Sequence, residues 1–90
     1  MQNIKTIFIG TPDLAVPSLK ALIESPDFEV VAVITQPDKP AGRKQELTPP
    51  PVKTEALKQG LTVYQPKSIS NFQFPISNFD LMVVVAYFQI

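Results

Sequence analysis

The ninety-residue sequence contains no cysteine and no histidine. Without cysteine there is no disulfide cross-link, zinc knuckle or thiol chemistry, and without histidine there is no imidazole base and no usual metal site. Eight basic residues balance eight acidic ones, which excludes a strongly basic nucleic-acid domain and an acidic tail. The sequence therefore predicts one small domain that holds no metal.

Long apolar runs are also missing. The amino terminus passes directly into a short apolar stretch without a charged leader, so no targeting segment is predicted. The longest charge-free apolar runs are far too short to span a membrane. We therefore expect a cytoplasmic protein without a membrane partner.

Four short apolar runs predict β-strands, at residues 4–9, 29–35, 61–64 and 81–87. The second and fourth runs do not alternate between apolar and polar residues, which is typical of parallel strands covered on both faces. Helical patterns lie between the runs, at residues 13–24 and 51–59. In the second helix Val52, Ala56 and Leu57 are expected to face the sheet.

This order of elements predicts an α/β fold. The expected architecture is an incomplete doubly wound, Rossmann-like parallel sheet of four strands with crossover helices. In that topology the fourth strand lies beside the first, on the side away from the second. The ligand crevice is then expected beyond the carboxyl ends of strands one and four, at residues 10–13 and 86–89.

The third crossover has only a weak helical pattern. The run Ile-Ser-Asn-Phe at residues 69–72 recurs at residues 76–79, with Pro75 between the copies. The echo would place its apolar residues on one helical stripe, but the residue types are indifferent helix formers and Pro75 interrupts the segment. We expect a one-turn helix and a loop across residues 68–79.

The turn after strand one reads Gly10-Thr11-Pro12-Asp13. A dinucleotide-binding fingerprint needs three glycines and this turn has one, so neither NAD nor FAD is predicted to bind. The residue types favour a tight turn with Thr11 as the helix cap, Pro12 in the first helical position and Asp13 on the helix dipole. Composition favours this interpretation over an anion site.

The connection at residues 35–51 is much longer than an ordinary loop between a strand and a helix. It carries Lys39, Arg43 and Lys44, with Gly42 as a hinge before the arginine. Cations at the carboxyl edge of a sheet suit contacts to phosphate. Two acidic residues offset two of these charges, so spacing alone favours a solvated, proline-rich loop.

Several segments together resemble methionyl-tRNA formyltransferase. The matching residues are 8–19, 35–43, 47–49, 51–53, 84–87 and 89–90. The string Thr-Gln-Pro-Asp-Lys-Pro-Ala-Gly-Arg at residues 35–43 is the most specific, since the related sugar formyltransferases and glycinamide ribonucleotide transformylases are not associated with it. The resemblance runs in register through nearly the whole chain, weakens across residues 67–79, and implies the amino-terminal half of a formyltransferase domain.

The resemblance implies a reaction and its partners. The family transfers a formyl group from 10-formyltetrahydrofolate to the amino group of methionyl initiator tRNA in translation initiation. It implies no metal, no DNA partner and a monomer. By matching position, the tRNA-binding residues would be Lys39, Gly42, Arg43 and Lys44. The pocket for the methionyl end would be formed by Gly10, Thr11, Pro12 and Asp13, and the folate contacts by Ala86 and Tyr87.

Three departures from the family pattern stand out. After Arg43 the family commonly has a glycine and two lysines, whereas this chain has Lys44-Gln45-Glu46, and fewer cations should weaken tRNA binding. Phe88 stands where the family has glycine, and it would obstruct a site that needs positive φ or a close approach to the pterin.

The third departure concerns catalysis. The family uses an asparagine, a histidine in an Asn-x-His motif and an aspartate to polarise the formyl carbonyl and manage the proton, and all three follow the segment matched here. We therefore expect residues 1–90 to be a partial amino-terminal formyltransferase domain, without the catalytic half and the carboxy-terminal tRNA-binding domain, and inactive alone.

Two other classes of function stay open. The chain could be a stand-alone α/β module that holds RNA or another phosphate ligand with Arg43 and Lys44. It could also be an interaction protein whose apolar strand at residues 81–86 pairs with the sheet edge of a partner. An exposed, flat, apolar edge would otherwise favour aggregation.

Overall fold

The computed structural model describes residues 3–68 and 78–87. Its strands and helices, in chain order, are β1 (Ile4–Gly10), a 3₁₀ turn (Asp13–Ala15), α1 (Val16–Glu24), β2 (Phe28–Ile34), β3 (Lys39–Ala41), β4 (Glu46–Thr48), α2 (Pro51–Lys58), β5 (Val63–Tyr64) and β6 (Leu81–Val85). No helix in these two stretches is long and apolar enough to cross a membrane.

The main sheet has four parallel strands in the order β5-β2-β1-β6. Ile9 of β1 lies beside Ile34 of β2 on one side and Val84 of β6 on the other. The carboxyl ends of these three strands therefore meet at one edge of the sheet. The predicted α/β fold and strand order are confirmed.

Apolar side chains pack on both faces of the sheet. On one face Phe8 and Val33 pack with Leu19 of α1 and with Val52 and Ala56 of α2. On the other face a second cluster contains Ile7, Ile9, Ala32, Ile34 and Tyr87. Successive residues of a strand point to opposite faces, so the apolar run Ile7–Ile9 of β1 supplies both clusters.

Two predictions about this packing and one about the length of a strand need correction. Leu57 is 57% exposed, and Glu55 lies in the buried face of α2 instead. The fourth strand is not covered on both faces, since Val84 is 61% exposed. It is an edge strand of the described sheet, and the second cluster does not extend over it. Strand three is also shorter than expected, spanning only Val63–Tyr64.

The long connection after β2 contains a hairpin that the sequence pattern did not predict. Strands β3 and β4 pair antiparallel, with Lys39 opposite Thr48 and Ala41 opposite Glu46. Every residue of both strands is exposed, so the strands need no apolar face and show no alternating apolar pattern. The proline and the charged residues in them are also untypical of strands. Most of the helix and loop predicted across residues 68–79 lies outside the described residues, which leave out 69–77.

Candidate functional site

A cleft of about 240 Å³ lies at the carboxyl edge of the sheet. Its lining comes from the ends of β1, β2 and β6, from the hairpin, and from the start of α2: Thr11, Pro12, Gln36, Pro37, Lys39, Thr48, Pro50 and Tyr87. Four of the residues predicted from the sequence, Thr11, Pro12, Lys39 and Tyr87, line it together. The crevice therefore lies where the strand order predicted it.

Gly10 ends β1 in a space that no larger residue fits. A Cβ atom there would lie 2.8 Å from the carbonyl oxygen of Val85 and 2.9 Å from Cε2 of Phe8. The glycine therefore allows the carboxyl ends of β1 and β6 to approach closely. Its role is to leave room for the main chain of β6 and the ring of Phe8. It precedes the cleft in the chain and does not line it.

The prediction that Thr11 caps a helix is wrong. The 3₁₀ turn begins at Asp13, and the residue before it, Pro12, offers no side-chain cap. The hydroxyl of Thr11 instead donates to the main-chain oxygen of Tyr87 at 3.0 Å and accepts from the main-chain nitrogen of Gln36 at 3.3 Å. Tertiary contacts between strand ends take the hydroxyl that a local cap would have used.

Gln36 is a site residue that the sequence reasoning missed. It is 4% exposed, and its side-chain Nε2 donates to the main-chain oxygen of Tyr87 at 2.9 Å. That oxygen therefore accepts from both Thr11 and Gln36, which ties together the ends of β1, β2 and β6. A polar residue directly after a buried parallel strand was the signal that could have indicated it.

Ala86 and Tyr87 leave β6 through an unusual turn. Ala86 has φ of +52°, a left-handed conformation that ends the strand, and it precedes the cleft-lining Tyr87 without lining the cleft itself. The Tyr87 side chain is 8% exposed in the second apolar cluster. Burial raises the pKa of its phenol, and its hydroxyl has no hydrogen-bond partner within the part of the chain that the structure describes.

Replacing Tyr87 by phenylalanine tests that unpaired hydroxyl. We expect the free energy of unfolding to stay unchanged or to rise by up to about 1 kcal/mol, because the variant removes a buried polar atom that gains nothing in the fold. The main-chain oxygen of Tyr87 keeps both of its donors. Urea denaturation of the two proteins measures the difference, and a loss of more than about 1 kcal/mol would reveal a partner for the hydroxyl.

The remaining predicted residues lie away from the cleft lining. Gly42, Arg43 and Lys44 form the exposed hairpin turn, in which Gly42 has φ of +76°. The side chain of Gln45 closes the turn by donating to the Gly42 oxygen at 2.9 Å. Asp13 is exposed at the start of the 3₁₀ turn. The hairpin reaches the cleft at its base, where Lys39 and Thr48 line it.

Asp38 holds the base of the hairpin. Its carboxylate accepts from Nε2 of Gln65 at 2.7 Å and from Nζ of Lys53 at 3.1 and 3.2 Å. The bond from Gln65, followed by that from Lys53, holds the pKa of the Asp38 carboxyl below its ordinary value. Stabilisation by the ionised carboxylate is therefore complete above the ordinary pKa and is lost as the pH falls through the lowered one.

No group of three metal-ligating side chains occurs among the described residues. The cleft offers instead hydroxyl and amide groups, one lysine and a surround of proline rings. These groups can orient a polar organic ligand and contact an anionic one. Among the described lining residues, no nucleophile or base has a partner that would activate it.

The fold and the cleft first define a class of protein: parallel α/β domains that bind ligands beyond the carboxyl ends of strands, where the strand order reverses. Within that class, the chain is similar to proteins named methionyl-tRNA formyltransferase. It is 55% identical to the one from Sulfurihydrogenibium sp., 53% to that from Geobacillus sp. and 45% to that from Synechocystis sp.. No family model matches the chain.

These alignments cover 97% of this chain but only 28–29% of each relative. The chain therefore spans less than a third of the length of the relatives it matches, at their amino-terminal part. The resemblance to the amino-terminal part of methionyl-tRNA formyltransferases is confirmed. What individual residues bind stays a prediction.

Proposed function

We propose that this chain forms the amino-terminal part of a cytoplasmic methionyl-tRNA formyltransferase, which moves a formyl group from 10-formyltetrahydrofolate to the amino group of methionyl initiator tRNA. The observation that carries the proposal is the identity of about half over 97% of the chain to proteins of that name. The cleft at the end of β1 and β6 supports it, because four of the residues matched to the family, Thr11, Pro12, Lys39 and Tyr87, line that cleft.

In this proposal the cleft and the hairpin have separate tasks. Thr11 and Pro12 would border the reacting methionyl end, and Ala86 with Tyr87 would approach the folate. The turn at residues 42–44 would contact the tRNA backbone, since its two cations are exposed and free of any ion pair among the described residues. Lys39, between them, would serve the part of the tRNA that enters the cleft.

We also propose that residues 1–90 by themselves do not transfer formyl groups. They contain no histidine, and the described cleft lining holds no carboxylate. The chain's own residues would bind and orient the tRNA end, while the chemistry would need groups supplied from outside this segment. Addition of 10-formyltetrahydrofolate and methionyl-tRNA to the chain should therefore yield no formylmethionyl-tRNA, and turnover at any measurable rate would contradict the proposal.

Replacing Arg43 by alanine tests the role of the hairpin turn. We expect the affinity for initiator methionyl-tRNA to fall about tenfold, because one charge-assisted phosphate contact is lost. The slope of log affinity against log salt concentration should fall by about one. Fluorescence anisotropy with labelled tRNA at several salt concentrations measures both quantities.

Lys58→Ala provides the matched control. It removes the same charge from the exposed far end of α2, away from the cleft, so affinity and slope should stay close to those of the unaltered chain. Equal losses in the two variants would show that only net charge matters. Equal binding of initiator tRNA, other RNA and inorganic phosphate would favour the alternative of a stand-alone RNA- or phosphate-binding module.

A further inference from the structure

We propose that Asp38 is a positioning residue: its carboxylate, held by Lys53 and Gln65, sets the orientation of the β3–β4 hairpin against the cleft. The inference rests on the proposed function, in that the hairpin is the part taken to contact tRNA. It adds a residue that belongs neither to the cleft lining nor to the basic turn.

The position of Asp38 in the chain makes it suited to this task. Asp38 directly precedes β3, and Lys53 lies in the first turn of α2, which follows β4 after two prolines. The ion pair at 3.1 Å therefore joins the two ends of the segment that contains the hairpin. It closes that segment at its base. A small change in the angle of the hairpin at this base would produce its largest displacement at the opposite end, the turn at residues 42–44.

Gln65 connects the same base to the main sheet. Its Nε2 donates to Asp38 at 2.7 Å and to the main-chain oxygen of Gln36 at 3.1 Å. Gln65 directly follows β5, and Gln36 follows β2. The hairpin base is thus anchored to both strands at the carboxyl edge, next to the residue whose side chain ties β2 to β6.

The hairpin needs such an anchor because neither of its strands has a buried residue. Each strand has three residues and all of them are exposed. A two-stranded hairpin of this kind is marginally stable without packing. Hydrogen bonds and prolines at the base must therefore determine how Lys39 and Thr48 come to line the cleft.

The experiment compares Asp38→Asn with Glu46→Gln. Each variant removes one negative charge from the same segment, but no hydrogen bond to the Glu46 carboxylate occurs among the described residues, whereas Asp38 receives three. If charge alone mattered, both variants would bind tRNA more tightly. Positioning predicts that the two variants differ: Glu46→Gln binds as well or better, and Asp38→Asn binds about fivefold more weakly, which a general loss of charge cannot produce.

A second measurement reports on the hairpin without any RNA. Trypsin cleavage after Arg43 and Lys44 should become about fivefold faster in Asp38→Asn and stay unchanged in Glu46→Gln, because a loosened hairpin opens more often. Lys53→Met should match Asp38→Asn, and the double variant should be no faster than either alone. Lys53→Met also serves if Asp38→Asn does not fold.

The possible results separate the two proposals. Equal trypsin rates and equal gains in tRNA affinity for Asp38→Asn and Glu46→Gln would overturn the positioning role. So would a fall in the urea midpoint of Asp38→Asn large enough to explain its faster cleavage by global unfolding. If the trypsin contrast appears but the unaltered chain does not bind tRNA, the anchor is supported and the proposed function fails.

Discussion

Replacing Leu19 by alanine should lower the free energy of unfolding by about 2–5 kcal/mol, the usual cost of truncating a buried leucine. Leu19 lies on the inner face of α1 and is fully buried, in the cluster that also contains Phe8, Val33 and Val52. Those neighbours come from both central strands and from α2, so the cavity would open where three elements meet. A domain of this length has a total stability of roughly 5–13 kcal/mol, so the loss is a large fraction of it.

Leu57→Ala is the matched control for this prediction. It removes the same atoms from the last turn of α2, but Leu57 is largely exposed, and we expect a change below about 0.5 kcal/mol. Urea denaturation followed by far-ultraviolet circular dichroism measures both variants. Comparable losses at the two positions would mean that Leu57 faces the core, as its helical spacing had suggested, and that the described orientation of α2 is wrong.

The second large effect is expected at Gly10. Replacement by alanine should cost about 3 kcal/mol, at the upper end for overpacking, because the added methyl group meets the main-chain oxygen of Val85 and the buried ring of Phe8. Neither neighbour is a flexible side-chain end. Relief requires β1 and β6 to move apart, which would also pull Thr11 away from the main-chain oxygen of Tyr87.

Gly60→Ala separates this crowding from the general cost of replacing a glycine. Gly60 has φ of +76° and open space where a Cβ atom would lie, so alanine there should cost only about 1 kcal/mol, for the left-handed backbone conformation. The amide resonance of Gln36, which donates to Thr11, should shift in Gly10→Ala and stay in place in Gly60→Ala. A Gly10→Ala protein as stable as the original would show that the strand ends are not in close contact.

Much of the fold followed from the sequence because its signals are local. Short apolar runs predicted β1, β2 and β6, and the alternation of strands with helices predicted a parallel sheet with its crevice at residues 10–13 and 86–89. Helix α1 ends before Pro26 and α2 before Gly60, as expected from the residues that stop helices. These features depend on near neighbours in the chain.

The errors arose where distant residues compete for the same group. Thr11 has the residue type of a helix cap, but the ends of β2 and β6 supply better partners for its hydroxyl. Leu57 has helical spacing toward the sheet, yet α2 turns Glu55 inward, where its carboxylate accepts from Gln59 at 2.8 Å. Local patterns cannot show which of two satisfactory arrangements the rest of the molecule permits.

By itself, the sequence determined the α/β class, the four-strand order, the edge that carries the cleft and the likeness to the amino-terminal part of methionyl-tRNA formyltransferases. Only the tertiary structure decided that residues 39–48 form a hairpin and that Asp38 meets Lys53 and Gln65 at its base. It also decided that Thr11 and Gln36 share one carbonyl. For the hydrogen-bonded partners the reason is distance along the chain: they are 15–76 residues apart, and only the completed sheet brings them together. The hairpin strands pair locally, but their residues are all exposed and so show no apolar pattern in the sequence.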